Sequence, residues 1–271
     1  MFIKKLNGKM KKEIKVEELK QIQLDILKFV DKFCKENNLK YYLAYGTLLG
    51  AVRHEGYIPW DDDIDIIMFR EDYEKFVTSF KDTNYKVFAT EVNSKYPYPF
   101  AKVGDTRTYF EEEIKDVIDT GVNIDIFPLD FLPEEKVEKI CKKRDLLQKL
   151  WMIKRLPRLK RRGLLKNSLL AISQCLLAPI SVHYIVKKLE DNAKKWNLKN
   201  SSICGNIAYG YDPDIYSSDN FKEQVELKFE DTSFPCPIDY DNVLKVMYGD
   251  YMKLPPIEKQ VSHHHFIAYW K

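Results

Sequence analysis

Two carboxylates, Asp63 and Asp65, stand one residue apart in the segment Tyr42–Met68, YLAYGTLLGAVRHEGYIPWDDDIDIIM. Along a strand, side chains alternate faces, so Asp63 and Asp65 point the same way while Ile64 and Ile66 point to the core. Carboxylates a few ångströms apart repel, and a bound divalent cation is the least costly way to keep both ionised. A third acid, Asp125, lies in GVNIDIFPL (121–129), where Asn123 and Asp125 share one face and Ile124 and Ile126 the other. A lone acid on so apolar a strand is costly without a cationic partner. Together Asp63, Asp65 and Asp125 form a set suited to one or two Mg²⁺ or Mn²⁺ ions, which take carboxylates plus substrate phosphates. The plainer readings are a solvated turn at residues 61–65 and a simple ion pair at Asp125. Asp62 and Asp130 read as turn or cap residues, and Asp61 is left undecided.

Upstream, Gly46-Thr47 is a turn that opens a helix, where backbone N–H groups and a hydroxyl meet phosphate readily. With metal ions present, the constellation suits in-line displacement at phosphorus by an activated hydroxyl. Arg53 and His54, at the far end of that helix, are candidates for stabilising charge on the transferred phosphate. His54 also reads as a helix C-terminal cap.

The elements that must position these residues follow from hydrophobic periodicity. Leu19, Ile22, Ile26, Phe29, Val30 and Phe33 recur at helical spacing, which predicts a helix over 14–37 closed by Asn37-Asn38. A short strand follows at 41–45, then the helix from Gly46, the acidic strand at 63–69 and a helix at 70–80. Strands are expected at 85–90, 98–104, 107–112 and 121–129, and helices at 134–156 and about 239–248. The layout is α+β: a mixed β-sheet core flanked by helices. A single domain is expected over 1–271, with its core at about 14–135 and 201–271 and a helical, basic insertion at about 136–200.

Composition sets the frame. At 271 residues, 45% hydrophobic, the chain can bury a sizeable core. Net charge is only +3, but no acid occurs between Asp145 and Glu190, where ten lysines and arginines lie. That stretch lacks the interleaved aromatics of a single-strand channel, so no nucleic-acid partner is expected. Five widely spaced cysteines with no Cys-x-x-Cys fit a reducing compartment. The basic N-terminus has no apolar run behind it, so no secretory signal is read there and a cytoplasmic location is expected.

The run 167–186 has no charge and is long enough for a bilayer, yet its polar residues make it a poor span. Leu165, Leu169, Ile172, Leu176 and Ile180 repeat amphipathically. With Arg158, Lys160, Arg161 and Arg162 upstream, the segment reads either as a packed helix or as one lying on anionic lipid at the inner face of the plasma membrane. Aromatic residues near the acidic segment (Tyr41, Tyr42, Tyr45, Tyr57, Trp60, with Tyr209 and Tyr211) could cage a quaternary ammonium, though such residues more often form core or rim. The cluster His263-His264-His265 points in divergent directions and is a weak metal candidate.

The motifs together resemble one family. Gly46–Gly50 (GTLLG), Arg53–Gly56 (RHEG), Trp60–Asp65 (WDDDID), Phe100–Val103 (FAKV), Asn123–Asp130 (NIDIFPLD) and Tyr248–Met252 (YGDYM) with Leu254-Pro255-Pro256 are similar to the LicD phosphotransferases, of the nucleotidyltransferase-fold superfamily. The resemblance covers roughly residues 20–135 and 239–265, and none of its motifs falls on the basic insertion at 140–200. It implies a nucleotidyltransferase-like fold and transfer of phosphocholine, or a related phospho-polyol or phospho-sugar, from a CDP-activated donor such as CDP-choline. The implied acceptor is a hydroxyl of a lipid-linked or surface glycan (teichoic acid, capsule or lipopolysaccharide). Asp63, Asp65 and Asp125 would be metal ligands, Gly46 and Thr47 would sit at the donor phosphates, and Lys102 and Arg53 would contact phosphate. The residues leave two alternatives open: nucleotidyl transfer at the α-phosphorus with pyrophosphate release, and a non-catalytic nucleotide- or glycan-binding protein.

Overall fold

The first long helix forms because one face of it can be buried: Leu19, Ile22, Ile26, Leu27, Val30 and Cys34 are all inside. It ends where Asn38 turns into the left-handed region at φ 53°. The computed structural model describes all residues except 1–4, 7–8, 11, 113–114, 116–117, 158–162, 199–200, 211–213 and 262–265.

In chain order the elements are β1 (Lys5–Leu6), β2 (Lys9–Met10), β3 (Glu13–Ile14), α1 (Val16–Glu36), β4 (Tyr42–Leu43), α2 (Tyr45–His54), β5 (Asp65–Phe69) and α3 (Arg70–Ser79). Next come β6 (Tyr85–Phe88), β7 (Ala101–Asp105), β8 (Thr108–Glu112) and β9 (Asn123–Leu132), then α4 (Val137–Arg155), α5 (Leu164–Leu176) and α6 (Val182–Lys194). The chain closes with β10 (Ile203–Gly205), β11 (Ile215–Ser217), β12 (Gln224–Phe229), β13 (Thr232–Pro237), α7 (Tyr240–Tyr248) and β14 (Phe266–Trp270).

The main sheet is mixed and has seven strands. β9 is its axis: β5 runs parallel along one edge, while β7 and β10 run antiparallel to its first and last residues. β4 pairs with β5, β6 with β7 and β11 with β10. The helices α4–α6 therefore leave from the end of β9 and return beside it as β10. Residues 136–200, expected from the sequence as a helical insertion, are helical in α4–α6. A second sheet, β3-β14-β8, joins both ends of the chain, and β12-β13 is a separate hairpin. The core is one large apolar cluster spanning α1, β4, β5, β7 and β9, with a small satellite around Leu132, Ile140, Ala193 and Ile207.

Most expected elements appear, with shorter ends. The expected strand over 41–45 is only Tyr42–Leu43, because helix α2 already starts at Tyr45. Residue 14, expected in the first helix, belongs instead to β3 and pairs with Ala268. The acidic strand begins at Asp65, so Asp63 precedes it. Strands β10–β14 go beyond the sequence expectation, for reasons visible in their residues. β10 and β11 have three residues each, and β13 carries Pro235 and Pro237, which sequence reading counts against a strand. Residues 262–265, with the histidine cluster, lie outside the described residues.

Candidate active site

Strand register gathers two of the three expected carboxylates, while Asp63 lies just before β5. Asp65, the first residue of β5, is the direct partner of Asp125 on β9, and Asp125 is in turn the partner of Lys102 on β7. Three neighbouring strands thus present Asp65, Asp125 and Lys102 in one row. The Lys102 ammonium donates to Asp125 Oδ1 at 2.6 Å and to Asn123 Oδ1 at 3.0 Å. Both side chains of the pair are largely buried, at 9% and 21% exposure. The rings of Tyr98 and Phe100 lie 5.3 and 5.5 Å from the ammonium. Lys102 is therefore first of all the counter-ion of Asp125, which settles the cost of an acid on an apolar strand.

Asp65 is held from two sides. Its N–H donates to Thr47 Oγ1 at 2.8 Å, and its carbonyl accepts from the Ala44 N–H at 3.0 Å. Thr47 is buried, and the contact fastens the acidic strand to the first turn of α2. The Asp125 N–H donates to Ile64 O at 2.9 Å, and Gln23 of α1 donates to the carbonyls of both Asp62 and Asn123. The backbones of the two acidic segments are tied at both levels before any ligand binds.

Loss of solvent pushes the Asp65 carboxyl well above the usual carboxylate range; Asp63, Asp125 and Asp61 push it further, and Lys102 opposes them. Asp61, undecided from sequence, belongs to this group. Its Oδ2 lies 2.5 Å from where a Cβ on Gly46 would sit, so the glycine lets a carboxylate approach the start of α2. The Tyr248 phenol, from the end of α7, is also raised by burial and by Asp65, Asp61, Asp214 and Asp63. Acids that raise the proton affinity of Asp65 are relieved by a divalent cation, and carboxylate oxygens are the donors that Mg²⁺ or Mn²⁺ takes. Among the described residues, no group of three His, Cys, Asp or Glu side chains is placed so that it could hold a metal ion as it stands.

At the other end of α2, Arg53 Nε donates to His54 Nε2 at 2.9 Å and Arg53 Nη1 donates to Tyr251 O at 2.7 Å. His54 is an acceptor there, hence neutral. Desolvation and the Arg53 charge both lower its pKa. Arg53 is thus aimed by the tail segment 248–251, with His54 and Tyr251 as its supports.

Sequence reading missed a polar knot at the start of α2. Tyr45 adopts φ 49°, unusual for a residue with a side chain. Its hydroxyl donates to Asp214 Oδ2 and accepts from Asn206 Nδ2, both at 2.8 Å, and Tyr216 donates to Asp214 Oδ1 at 2.7 Å. The Tyr45 ring meets Phe127 edge-on, and Phe127 continues through Phe100 and Tyr209 to Trp151. Asp130, expected at a turn or cap, is instead buried against Arg70, which donates at 2.9 and 2.7 Å.

Comparison with known proteins bears on this arrangement. Residues 38–154 match the family described as LicD/FKTN/FKRP, nucleotidyltransferase domain. The chain is 31% identical over 272 residues to the lipopolysaccharide cholinephosphotransferase LicD of Haemophilus influenzae, covering 95% of this chain and 99% of that protein. The chain belongs to the LicD family. An uncharacterized protein of Rickettsia typhi is 32% identical over 135 residues, covering 48% of this chain and 42% of that protein. In this LicD-family protein the matched region runs from just before β4 into α4, and so contains Gly46, Thr47, Arg53, His54, Asp63, Asp65, Lys102 and Asp125. Asn206, Asp214, Tyr216 and Tyr248 lie beyond it and reach the same place through the fold. The signal for Tyr248 was in the sequence, in the Tyr248-Gly249-Asp250-Tyr251 motif. Asp214 had none, since a single aspartate beside a proline reads as a loop.

Proposed function

We propose that this chain transfers phosphocholine from CDP-choline to a hydroxyl of a glycan of the lipopolysaccharide type, with release of CMP. The observation that carries the reading is the row Asp65–Asp125–Lys102 across three strands, set beside Gly46 at the start of α2. Near full-length similarity to a lipopolysaccharide cholinephosphotransferase supports the choice of substrate class. Teichoic acid and capsule glycans are acceptors of the same chemistry, and a phospho-polyol could replace phosphocholine without change at the metal positions.

In this reading Asp63, Asp65 and Asp125 hold Mg²⁺ or Mn²⁺, which when bound neutralises the donor phosphates and activates the acceptor hydroxyl. The chain's own groups do the rest. Lys102 keeps Asp125 ionised and in place. Thr47 fixes the backbone of Asp65, and the first N–H groups of α2 at Gly46 offer a seat for phosphate oxygens. Arg53, oriented by His54 and the Tyr251 carbonyl, supplies positive charge as the acceptor oxygen bonds to the distal phosphorus and the bond to CMP breaks. All five cysteines are free thiols, in keeping with a cytoplasmic protein.

The test is a donor panel. The protein with Mg²⁺ is incubated with CDP-choline, CDP-glycerol, CDP-ribitol or CTP in the presence of a glycan acceptor. CMP from CDP-choline supports the proposal. Pyrophosphate from CTP would place the attack at the α-phosphorus, and no turnover with any donor would leave a binding protein.

A further inference from the structure

Helix α5 is mounted inside out. Leu165, Leu169, Ile172 and Leu176 recur at four-, three- and four-residue steps, which puts them in one stripe along the helix. That stripe faces away from the protein: the four are 75%, 57%, 58% and 76% exposed, and Leu164 beside them is 89% exposed. Leu170 is the one buried residue of the helix.

The face turned to the protein is held by polar contacts. Gln174 donates to the carbonyls of Ile153 and Leu156 at the end of α4 and accepts from the Lys115 ammonium. Lys154 of α4 donates to the carbonyls of Leu177 and Ile180, just past the end of α5. These bonds fix which side of α5 points outward. An amphipathic helix normally buries its leucines and wets its glutamine, so the reversal leaves an apolar stripe that something else must cover.

Charge identifies the cover. The interval between Asp145 and Glu190, with α5 at its centre, contains ten lysines and arginines and no acid, while the rest of the chain is net negative. Lys149, Lys166 and Lys187 of this interval are exposed. A narrow row of leucines on one short helix is also far smaller than the roughly 20–30 residues a side of a stable protein interface. A row of that size, within so basic a stretch of chain, matches the depth and sign of an anionic lipid surface. No described helix is long and apolar enough to cross a membrane, so the contact would lie along the surface.

We propose that α5 lies on an anionic phospholipid bilayer, its leucine stripe in the headgroup–acyl boundary. This concerns a surface remote in sequence from the carboxylates, and it stands or falls independently of the transferase reading. The test is co-sedimentation of the full chain with phosphatidylcholine vesicles, with and without phosphatidylglycerol as a minor component. The expected result is binding to the phosphatidylglycerol vesicles alone, weakened by salt. In the quadruple variant Leu165→Ser, Leu169→Ser, Ile172→Ser, Leu176→Ser binding should fall about tenfold or more, with an unchanged circular dichroism spectrum and melting temperature. A Leu169→Trp variant should show a blue-shifted emission with the same vesicles, which reads burial of that position even if the quadruple variant misfolds. Absence of binding, equal binding by the serine variant, or an unshifted emission from the Leu169→Trp variant would overturn the proposal. So would sedimentation analysis in which the wild-type chain dimerises and the serine variant does not, since the stripe would then be covered by a second copy.

Discussion

Asp65 and Asp125 are direct register partners on adjacent parallel strands, with Lys102 facing Asp125 from the third strand. The Lys102 ammonium pairs with Asp125 and opposes the raised proton affinity that burial, Asp63, Asp125 and Asp61 give Asp65. This balance decides how the site responds to substitution, pH and cations.

Asp65→Asn should abolish turnover yet stabilise the cation-free protein at neutral pH. The folded-state pKa of Asp65 lies above its unfolded value, so the native state binds the proton more tightly. Stability from this group is full at low pH and is lost as pH rises from the unfolded pKa through the raised folded one. The neutral amide does not incur that loss. Thermal scans in chelator should show the wild-type and variant converging on acidification, with the variant melting higher at neutral pH. Added Mg²⁺ should raise the melting temperature of the wild type alone.

Lys102→Met should cost about 2–4 kcal/mol of stability, because it breaks the largely buried ion pair with Asp125. A Lys102 that only touched substrate phosphate would raise KM and leave the denaturation midpoint unchanged. Urea unfolding beside donor kinetics separates the two. The Lys102→Met, Asp125→Leu double variant should regain most of the stability and none of the activity.

The two glycines of α2 should behave differently. A Cβ at Gly46 would meet the end of the Asp61 side chain, which can swing away, so Gly46→Ala should change stability by under about 1 kcal/mol while lowering turnover. A Cβ at Gly50 would lie 2.4 Å from the Gly56 carbonyl, a backbone atom, and Gly50→Ala should cost about 2 kcal/mol or more. Melting curves and turnover of both variants check the contrast.

Asp214→Ala should cost about 2–4 kcal/mol, since the hydroxyls of Tyr45 and Tyr216 both lose their acceptor. Tyr45 sits at φ 49° on the first turn of α2, so the loss should also loosen the segment that carries Gly46 and Thr47. The kinetic sign would be a raised KM for donor in whatever fraction folds.

The acidic pieces of the candidate site were legible in the sequence because they follow short-range rules: alternation set Asp125 opposite Ile124 and Ile126. A helix start was legible at Gly46, one residue after α2 begins. The alternation read for Asp63 and Asp65 does not hold, since β5 begins at Asp65. The distances between those pieces were not legible. That Lys102 meets Asp125 depends on the pairing of β7 with β9, and that Asp61 meets Gly46 depends on a turn of residues 55–64. Asp214 and Tyr248 come from segments far along the chain, and only packing brings them in. The role of Thr47 also needed the fold, since its hydroxyl is engaged by the Asp65 backbone. For α5 the sequence showed the stripe of leucines but not its direction, which depends on where Gln174 finds its acceptors.

The most direct measurement is the rate of CMP release from CDP-choline, with Mg²⁺ and with chelator, by the wild-type chain and by Asp65→Asn. The account predicts release by the wild type that requires the cation and a fall of about a hundredfold or more in the variant. Release that persists in chelator, or that survives Asp65→Asn, would contradict it.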